Sequence, residues 1–181
     1  MRKAVIAFSL VLVCTQVSAQ TNEEKAIKKT KDAIDLMDAG LIKESIKLLE
    51  EAEALDPGKF MYTYEKSYAH YIDKDYKGTI KILEKLKSHP DASERLYQLL
   101  GNSYDLIEKP EKAFDAYDEG LKKFPNAGML FLEKGNVYWE KKDYGKALPL
   151  YEKGIEMDPA FPSNYYRAAL LYANSDNPIW A

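Results

Sequence analysis

The sequence predicts an all-α repeat array built from antiparallel helix pairs. Two blocks of the chain match place for place at one constant spacing. One carries Leu100-Gly101-Asn102-Ser103-Tyr104, then Ala113, Tyr117, Gly120 and Pro125; the other carries Lys134-Gly135-Asn136-Val137-Tyr138, then Ala147, Tyr151, Gly154 and Pro159. A fixed period of ~34 residues marks an array of small supersecondary units. An upstream stretch with Ala33, Leu36, Ser45, Leu49, Ala52 and Pro57 echoes the same series more weakly. The 181 residues are 46% hydrophobic and 30% charged, as an ordinary folded protein is. An array, however, has no single core for that length to bound.

Residues 1–19 stand apart from the array. Arg2 and Lys3 form a basic start, Ala4 to Val13 an apolar run, and Val17-Ser18-Ala19 a small-residue cleavage site before Gln20. That layout is a secretory signal peptide. A membrane anchor is the rival, but the apolar run is about half of the ~20 residues a spanning helix needs. Cys14 raises lipidation as another rival. Val11-Leu12-Val13 lack the small residue of a lipoprotein cleavage site. Cleavage after Ala19 leaves a mature chain without cysteine, which needs no disulfide in an oxidising compartment. There is no Asn-x-Ser/Thr acceptor either, which suits a bacterial periplasm. Of 26 basic side chains, Arg2 and Lys3 lie in the leader. That leaves 24 against 29 acidic ones, a net charge of −5 with histidine neutral. A mildly acidic chain without a basic block argues against nucleic acid and anionic membrane surfaces as partners.

The repeated residues each have a physical reading. Gly101 and Gly135 sit where the first helix of a pair presses on the second, and a close approach justifies Gly despite its cost of roughly 1 kcal/mol in a helix. Ala113 and Ala147 read as the small partners on the second helix, which puts Gly135 against Ala147. Tyr104, Tyr138, Tyr117 and Tyr151 are expected to fill the space between helix pairs. Pro125 and Pro159 stop the second helix and set the turn into the next unit.

This Leu-Gly-x-x-Tyr, Ala, Tyr, Gly, Pro series resembles the tetratricopeptide repeat (TPR), a helix-turn-helix unit. The resemblance implies a right-handed superhelical solenoid of antiparallel helix pairs, here four full repeats and a truncated fifth. A short segment, 20–25, leads into units at about 26–59, 60–93, 94–127, 128–161 and 162–181. The first unit is degenerate, with Lys29 and Asp32 where apolar residues are usual; terminal repeats depart this way because one side faces water. In the second, Pro90 comes one place early and His70 stands where the family pattern has Tyr, so its register is open. The third and fourth match nearly everywhere. The fifth begins at Pro162, with Tyr165, Ala169 and Tyr172 matching a first helix. Asn177-Pro178 reads as the cap and first residue of its second helix, as Lys109-Pro110 does in the third unit. Ending on Ile179-Trp180-Ala181 reads as an array cut within a unit, because arrays close on a polar capping helix.

Nothing points to catalysis. His70 on a helix and His89 beside Pro90 lack metal-ligand spacing with each other or with Cys14. No phosphate loop, nucleophile elbow or zinc motif is present, so neither a metal nor a cofactor is expected. The face is more informative. In TPR arrays first helices line a concave surface, and the places between packing residues point into it. Carried onto this chain those places hold Tyr64, Tyr68 and Tyr71; Gln98, Asn102 and Asp105; Leu132, Asn136 and Trp139; and Tyr166, Arg167 and Leu170. The tyrosine trio becomes ordinary core if the second register slips by one. Trp139 is the best single contact, since Tyr138 already takes the packing place. The carboxylate clamp by which some TPR proteins grip acidic tails does not fit. Its places hold Gln98, Asn102, Glu133, Ser163 and Arg167, and Glu133 repels a carboxylate.

The expected function is therefore a non-catalytic, exported scaffold, periplasmic or secreted, that binds a protein or peptide segment on its concave face. Two alternatives stay open: an envelope glycan-binding protein that stacks sugars on the groove aromatics, and the repeat portion of a longer protein with a catalytic domain beyond Ala181.

Overall fold

The computed structural model describes residues 21–173, and these are helices and turns with no strand among them. Helix α1 covers residues 21–38. It is followed by α2 (Ile42–Leu55), α3 (Phe60–Ile72), α4 (Tyr76–Leu86), α5 (Glu94–Leu106), α6 (Pro110–Lys123), α7 (Gly128–Glu140), α8 (Tyr144–Met157) and α9 (Pro162–Ala173). The all-α array of helix pairs is as the sequence predicts. The leader and its cleavage site, Cys14, and the Asn177-Pro178 helix start lie outside the described residues. One boundary differs. Residues 21–25 are not a separate lead-in but part of α1; Ala26 is buried with Ala52 and Tyr62, which anchors that end of the helix.

The chain divides into two compact units at Asp75/Tyr76. In the first, α2 packs on α3. Its core holds Ala33, Met37, Leu49 and Ala69, with Ile42, Ile46 and Leu48 against them. Lys29, unexpected at a packing place, reaches Glu51 at 2.6 Å. In the second unit each helix packs on the next from α4 to α9, and the first helices α5, α7 and α9 also touch in succession.

The turn inside each pair repeats as faithfully as the helices. Gly40, Lys74, Glu108 and Lys142 recur at the same period and all have positive φ, at 79°, 62°, 59° and 58°. After each, the next residue's N–H closes back onto the preceding helix. These bonds are Leu41 to Leu36 O, Asp75 to His70 O, Lys109 to Tyr104 O, and Asp143 to Tyr138 O, at 2.8 to 2.9 Å. This is a Schellman closure, which satisfies carbonyls that the helix end would otherwise orphan. Only the first copy uses glycine there.

The glycines of the matched blocks meet tyrosines rather than alanines. A Cβ placed on Gly101 would lie 2.2 Å from Cε1 of Tyr117, and one on Gly135 would lie 2.4 Å from Cε1 of Tyr151. The expected Gly135–Ala147 contact is therefore wrong in its partner. Tyr117 and Tyr151 each reach the first helix of their own pair, and Tyr151 is also buried with Ala168 and Leu171 of the next, the space the sequence assigns it. Ala147 instead belongs to a buried cluster with Tyr151, Ala168 and Leu171.

The second repeat keeps the common register in its first helix. Tyr62, Ser67 and Ala69 are buried at the places of Leu96, Gly101 and Ser103. Its second helix is shorter: α4 has 11 residues against 14 for α2, α6 and α8. Pro90 is the cause, because it disfavours helical backbone at His89 and removes an N–H. The predicted helix stops are seen elsewhere. α2, α6 and α8 each end two residues before Pro57, Pro125 and Pro159.

Candidate functional site

Each candidate residue sits on a first helix, and the two units hold different sets. In the first unit, α3 carries the tyrosines. Tyr64 is half-buried and stacks on Phe60 at 5.4 Å, while Tyr68 and Tyr71 stack on each other at 6.5 Å. Tyr68 is 42% exposed, whereas Tyr62 on the opposite side of α3 is 2% exposed. The core reading of the trio is thus set aside: the core of α3 is Tyr62, Ser67 and Ala69. Glu65 lies on the same helix, and burial pushes its carboxyl above the usual range.

In the second unit, α5, α7 and α9 bring the remaining candidates together. Gln98 Nε2 of α5 donates to Glu133 Oε1 of α7 at 2.7 Å. Asn136 Nδ2 donates to the other oxygen of Glu133 at 3.2 Å. The two asparagines are held from behind: Tyr117 Oη donates to Asn102 Oδ1 at 2.6 Å, and Tyr151 Oη donates to Asn136 Oδ1 at 3.1 Å. The same tyrosines that fill the glycine gaps therefore fix the amides of the neighbouring residues. With each Oδ1 accepting, the amide nitrogen is left as the donor end of the side chain, and that of Asn136 is the one that meets Glu133.

The face is acidic at its centre. Burial raises the Asp105 carboxyl above its usual range, and the charges of Glu140 and Glu133 add to that, against the opposing pull of Lys141. Burial likewise pushes the Tyr151 phenol up to about 12. At the α7–α9 edge, the Arg167 guanidinium lies over the Trp139 ring at 5.1 Å, and Tyr144 meets that ring edge-on at 5.4 Å. Trp139 and Leu132 are not purely face residues, because both also pack on the buried Ala147–Tyr151–Ala168–Leu171 cluster. Tyr166, next to Arg167 in sequence on α9, is 65% exposed.

Sequence reasoning misses two pairings that shape this face. Glu133 reads there only as an obstacle to a carboxylate, yet it accepts from both Gln98 and Asn136. Arg167 reads as a lone contact, yet it covers the Trp139 ring. Neither pairing follows from the repeat period, since each joins one repeat to the next. A second polar cluster lies between α4, α5 and α6. Lys87 Nζ bridges Glu84 at 3.0 Å and Glu119 at 2.8 Å, and Tyr104 Oη donates to Glu84 at 2.9 Å. Burial by itself would lower the Lys87 pKa; hydrogen bonds to the two carboxylates outweigh it and hold the ammonium above its usual range. These charges satisfy one another and join helices. His70 Nδ1 lies 2.9 Å from an Asp75 carboxylate oxygen, and His89 Nδ1 accepts the Asp91 N–H at 3.1 Å, each a local contact along the chain. Among the described residues no group of His, Cys, Asp and Glu is placed to hold a metal, and no helix is long and apolar enough to cross a membrane.

Comparison with known proteins agrees with this architecture. The tetratricopeptide-repeat family model matches residues 130–161. The chain is 26% identical over 139 residues to TPR repeat-containing protein YpiA of Bacillus subtilis, covering 77% of this chain and 32% of that protein. It is 27% identical over 100 residues to TPR repeat-containing protein MJ1428 of Methanocaldococcus jannaschii, covering 55% and 18%. The chain thus spans a third or less of these relatives. Among solved structures it resembles MamA from Desulfovibrio magneticus RS-1, with a TM-score of 0.64 and 24% identity over 77% of this chain and 78% of that one. It also resembles YrrB, described as a TPR protein with an unusual peptide-binding site, with a TM-score of 0.60 and 20% identity over 90% and 84%. The period, the helix pairs and these matches together show a tetratricopeptide-repeat architecture.

Proposed function

We propose that this tetratricopeptide-repeat protein is an exported, non-catalytic scaffold that holds an extended protein or peptide segment on the face made by α5, α7 and α9. The observation that carries the reading is the fixed pair of amides: Asn102 and Asn136 occupy equivalent places on adjacent first helices, each locked through Oδ1 by a tyrosine hydroxyl. An extended segment offers backbone carbonyls at regular intervals, and two amide donors one repeat apart suit it. Gln98 and Glu133 add a bridging acceptor, and Arg167 with Trp139 supplies a flat, charged edge. Because the amides are oriented before a ligand arrives, little ordering cost falls on the protein. The peptide-binding site named for YrrB supports the same use of the fold. A sugar-stacking reading gains nothing from Trp139, since Arg167 already lies over its ring. Export rests on the basic start, the apolar run and Val17-Ser18-Ala19.

Two measurements test the reading. Peptides selected from an unstructured display library should lose at least about tenfold in affinity on Asn102→Ala with Arg167→Ala, a change of ~1.4 kcal/mol. The variant should still unfold cooperatively, with its unfolding temperature lowered by only the roughly 2–4 °C that loss of the Tyr117–Asn102 bond implies. Retained affinity would remove the amide face from the mechanism. The intact mass of the exported protein should correspond to a chain beginning at Gln20; retention of residues 1–19, or a lipid on Cys14, would remove the export assignment.

A further inference from the structure

The place of Glu65 recurs at the common period on every first helix, and each copy settles it differently. Lys31 is exposed to water. Leu99 is buried. Glu133 accepts from Gln98 and Asn136, and Arg167 lies over Trp139. Glu65 is half-buried, and no hydrogen bond or ion pair among the described residues reaches its carboxyl. Burial is what acts on it, with no cation of this chain to offset the lost hydration.

Glu65 stands within a stripe along α3. Met61, Glu65, Tyr68 and Ile72 follow one another at intervals of four, three and four residues, and so share one side of the helix. Met61, Tyr68 and Ile72 are exposed, whereas Tyr62, Ser67 and Ala69 of the same helix are core. Elsewhere the chain lays its own cations on its rings: Lys112 on Tyr104, Lys146 on Tyr138, Arg167 on Trp139. Tyr68 stacks on Tyr71 but has no cation over it among the described residues. One side of α3 thus joins an uncompensated carboxylate to a ring three residues on, with an apolar side chain at either end.

A single cation suits both central groups, since a ring face attracts positive charge as a carboxylate does. The apolar ends call for more than a small cation. From Met61 to Ile72 the helix rises about 16 Å, the reach of about five residues of extended chain, whose alternate side chains point the same way. We propose that the Met61–Glu65–Tyr68–Ile72 stripe docks an extended segment of a partner protein in which a lysine or arginine stands two residues from an apolar residue on each side. The cation sits between Glu65 and Tyr68, and the apolar residues lie on Met61 and Ile72. This surface belongs to the first unit and does not depend on the amide face of α5, α7 and α9.

The test titrates the full chain with the end-blocked peptide Leu-Ser-Lys-Ser-Leu and with its counterpart carrying norleucine in place of lysine, following backbone amide NMR signals. The lysine peptide should shift signals of residues 61–72, and the norleucine peptide should bind about tenfold more weakly. This pair tests the charge without altering the protein. Glu65→Gln should bring the lysine peptide down to the norleucine level, and Tyr68→Ala should weaken it by a similar factor. Glu65→Lys should instead favour a peptide with glutamate at the centre. Asn102→Ala should change none of this, which separates the stripe from the amide face. No binding by the lysine peptide, or equal affinity of the lysine and norleucine peptides for the unaltered chain, would overturn the inference. So would shifts confined to residues 95–106 and 129–140, which would give the peptide to the amide face. Spermidine binding as tightly as the lysine peptide would show a site for small cations, and would overturn it too.

Discussion

In the first repeat Ala33 and Leu49 share the space between paired helices, whereas in the third and fourth Gly101 and Gly135 leave that space to the rings of Tyr117 and Tyr151. Both divisions let two backbones approach, but they differ in what they do to the neighbouring surface. A leucine ends in methyl groups. A tyrosine passes the first helix and ends in a hydroxyl, which then orients Asn102 or Asn136. The first and second repeats hold Ile34 and Tyr68 at that surface place, both partly exposed apolar side chains. The choice of core residue thus decides whether the adjoining face is amide-rich or apolar.

The comparison breaks most visibly at Gly135. Gly135→Leu places side-chain atoms where the Tyr151 ring lies and should cost on the order of 1–3 kcal/mol or more. Thermal unfolding should show it plainly, with Lys141→Leu on the exposed turn as a near-silent control; equal melting temperatures would contradict the packing described. The sharper form is a double-mutant cycle. Gly135→Ala should destabilise, and adding Tyr151→Leu should recover part of the loss by converting the fourth repeat to the first repeat's solution. The coupling should fall within the ~0.5–3 kcal/mol seen for contacting residues; additive losses would mean the two positions do not share volume.

Alkaline pH probes buried hydroxyls of both units together. Burial, with a hydrogen bond to Asp56 for Tyr62 and to Glu84 for Tyr104, pushes those phenols up to about 12; burial does the same for Tyr151. Their folded pKa values lie above the unfolded value near 10, so this stability is complete below pH ~10 and is lost as pH rises toward 12. Denaturant midpoints should fall across that window. Tyr62→Phe and Tyr104→Phe should flatten the fall, and an unchanged slope would count against the buried-hydroxyl account.

Smaller effects separate the repeats further. Tyr117→Phe should cost about 0.5–1.5 kcal/mol through the lost bond to Asn102, while keeping the ring on Gly101. At the turns, Gly40→Ala forces a Cβ into left-handed backbone and should destabilise by roughly 1 kcal/mol. Lys142→Gly should be neutral or gain a few tenths, because it removes the same penalty. Chemical denaturation resolves both, and a destabilising Lys142→Gly would show that the lysine contributes something beyond backbone.

The pairwise logic of the fold was legible because a fixed period leaves its mark on every copy. The prolines after the second helices and the Gly, Ala and Tyr places all carried that mark. The identity of the contacts was not legible. Spacing alone cannot say whether Gly135 faces Ala147 or Tyr151, since both lie on the same helix one turn apart. The Schellman turns leave no common residue to read, because their left-handed position is Gly, Lys, Glu and Lys in successive copies, and backbone conformation there is imposed by the helices on either side. The shortened α4 was foreshadowed by Pro90, and the exposure of Tyr68 resolved the register that Pro90 and His70 had left open.

The sequence by itself determined the architecture and the candidate face, because helix pairing depends on small and large residues recurring at fixed intervals along the chain. Only the tertiary structure decided which tyrosine holds which asparagine, that Glu133 joins Gln98 to Asn136, and that Arg167 covers Trp139. Those contacts join different helices, and their geometry depends on how closely the backbones approach. That approach is set in turn by the volume a glycine leaves and a tyrosine fills.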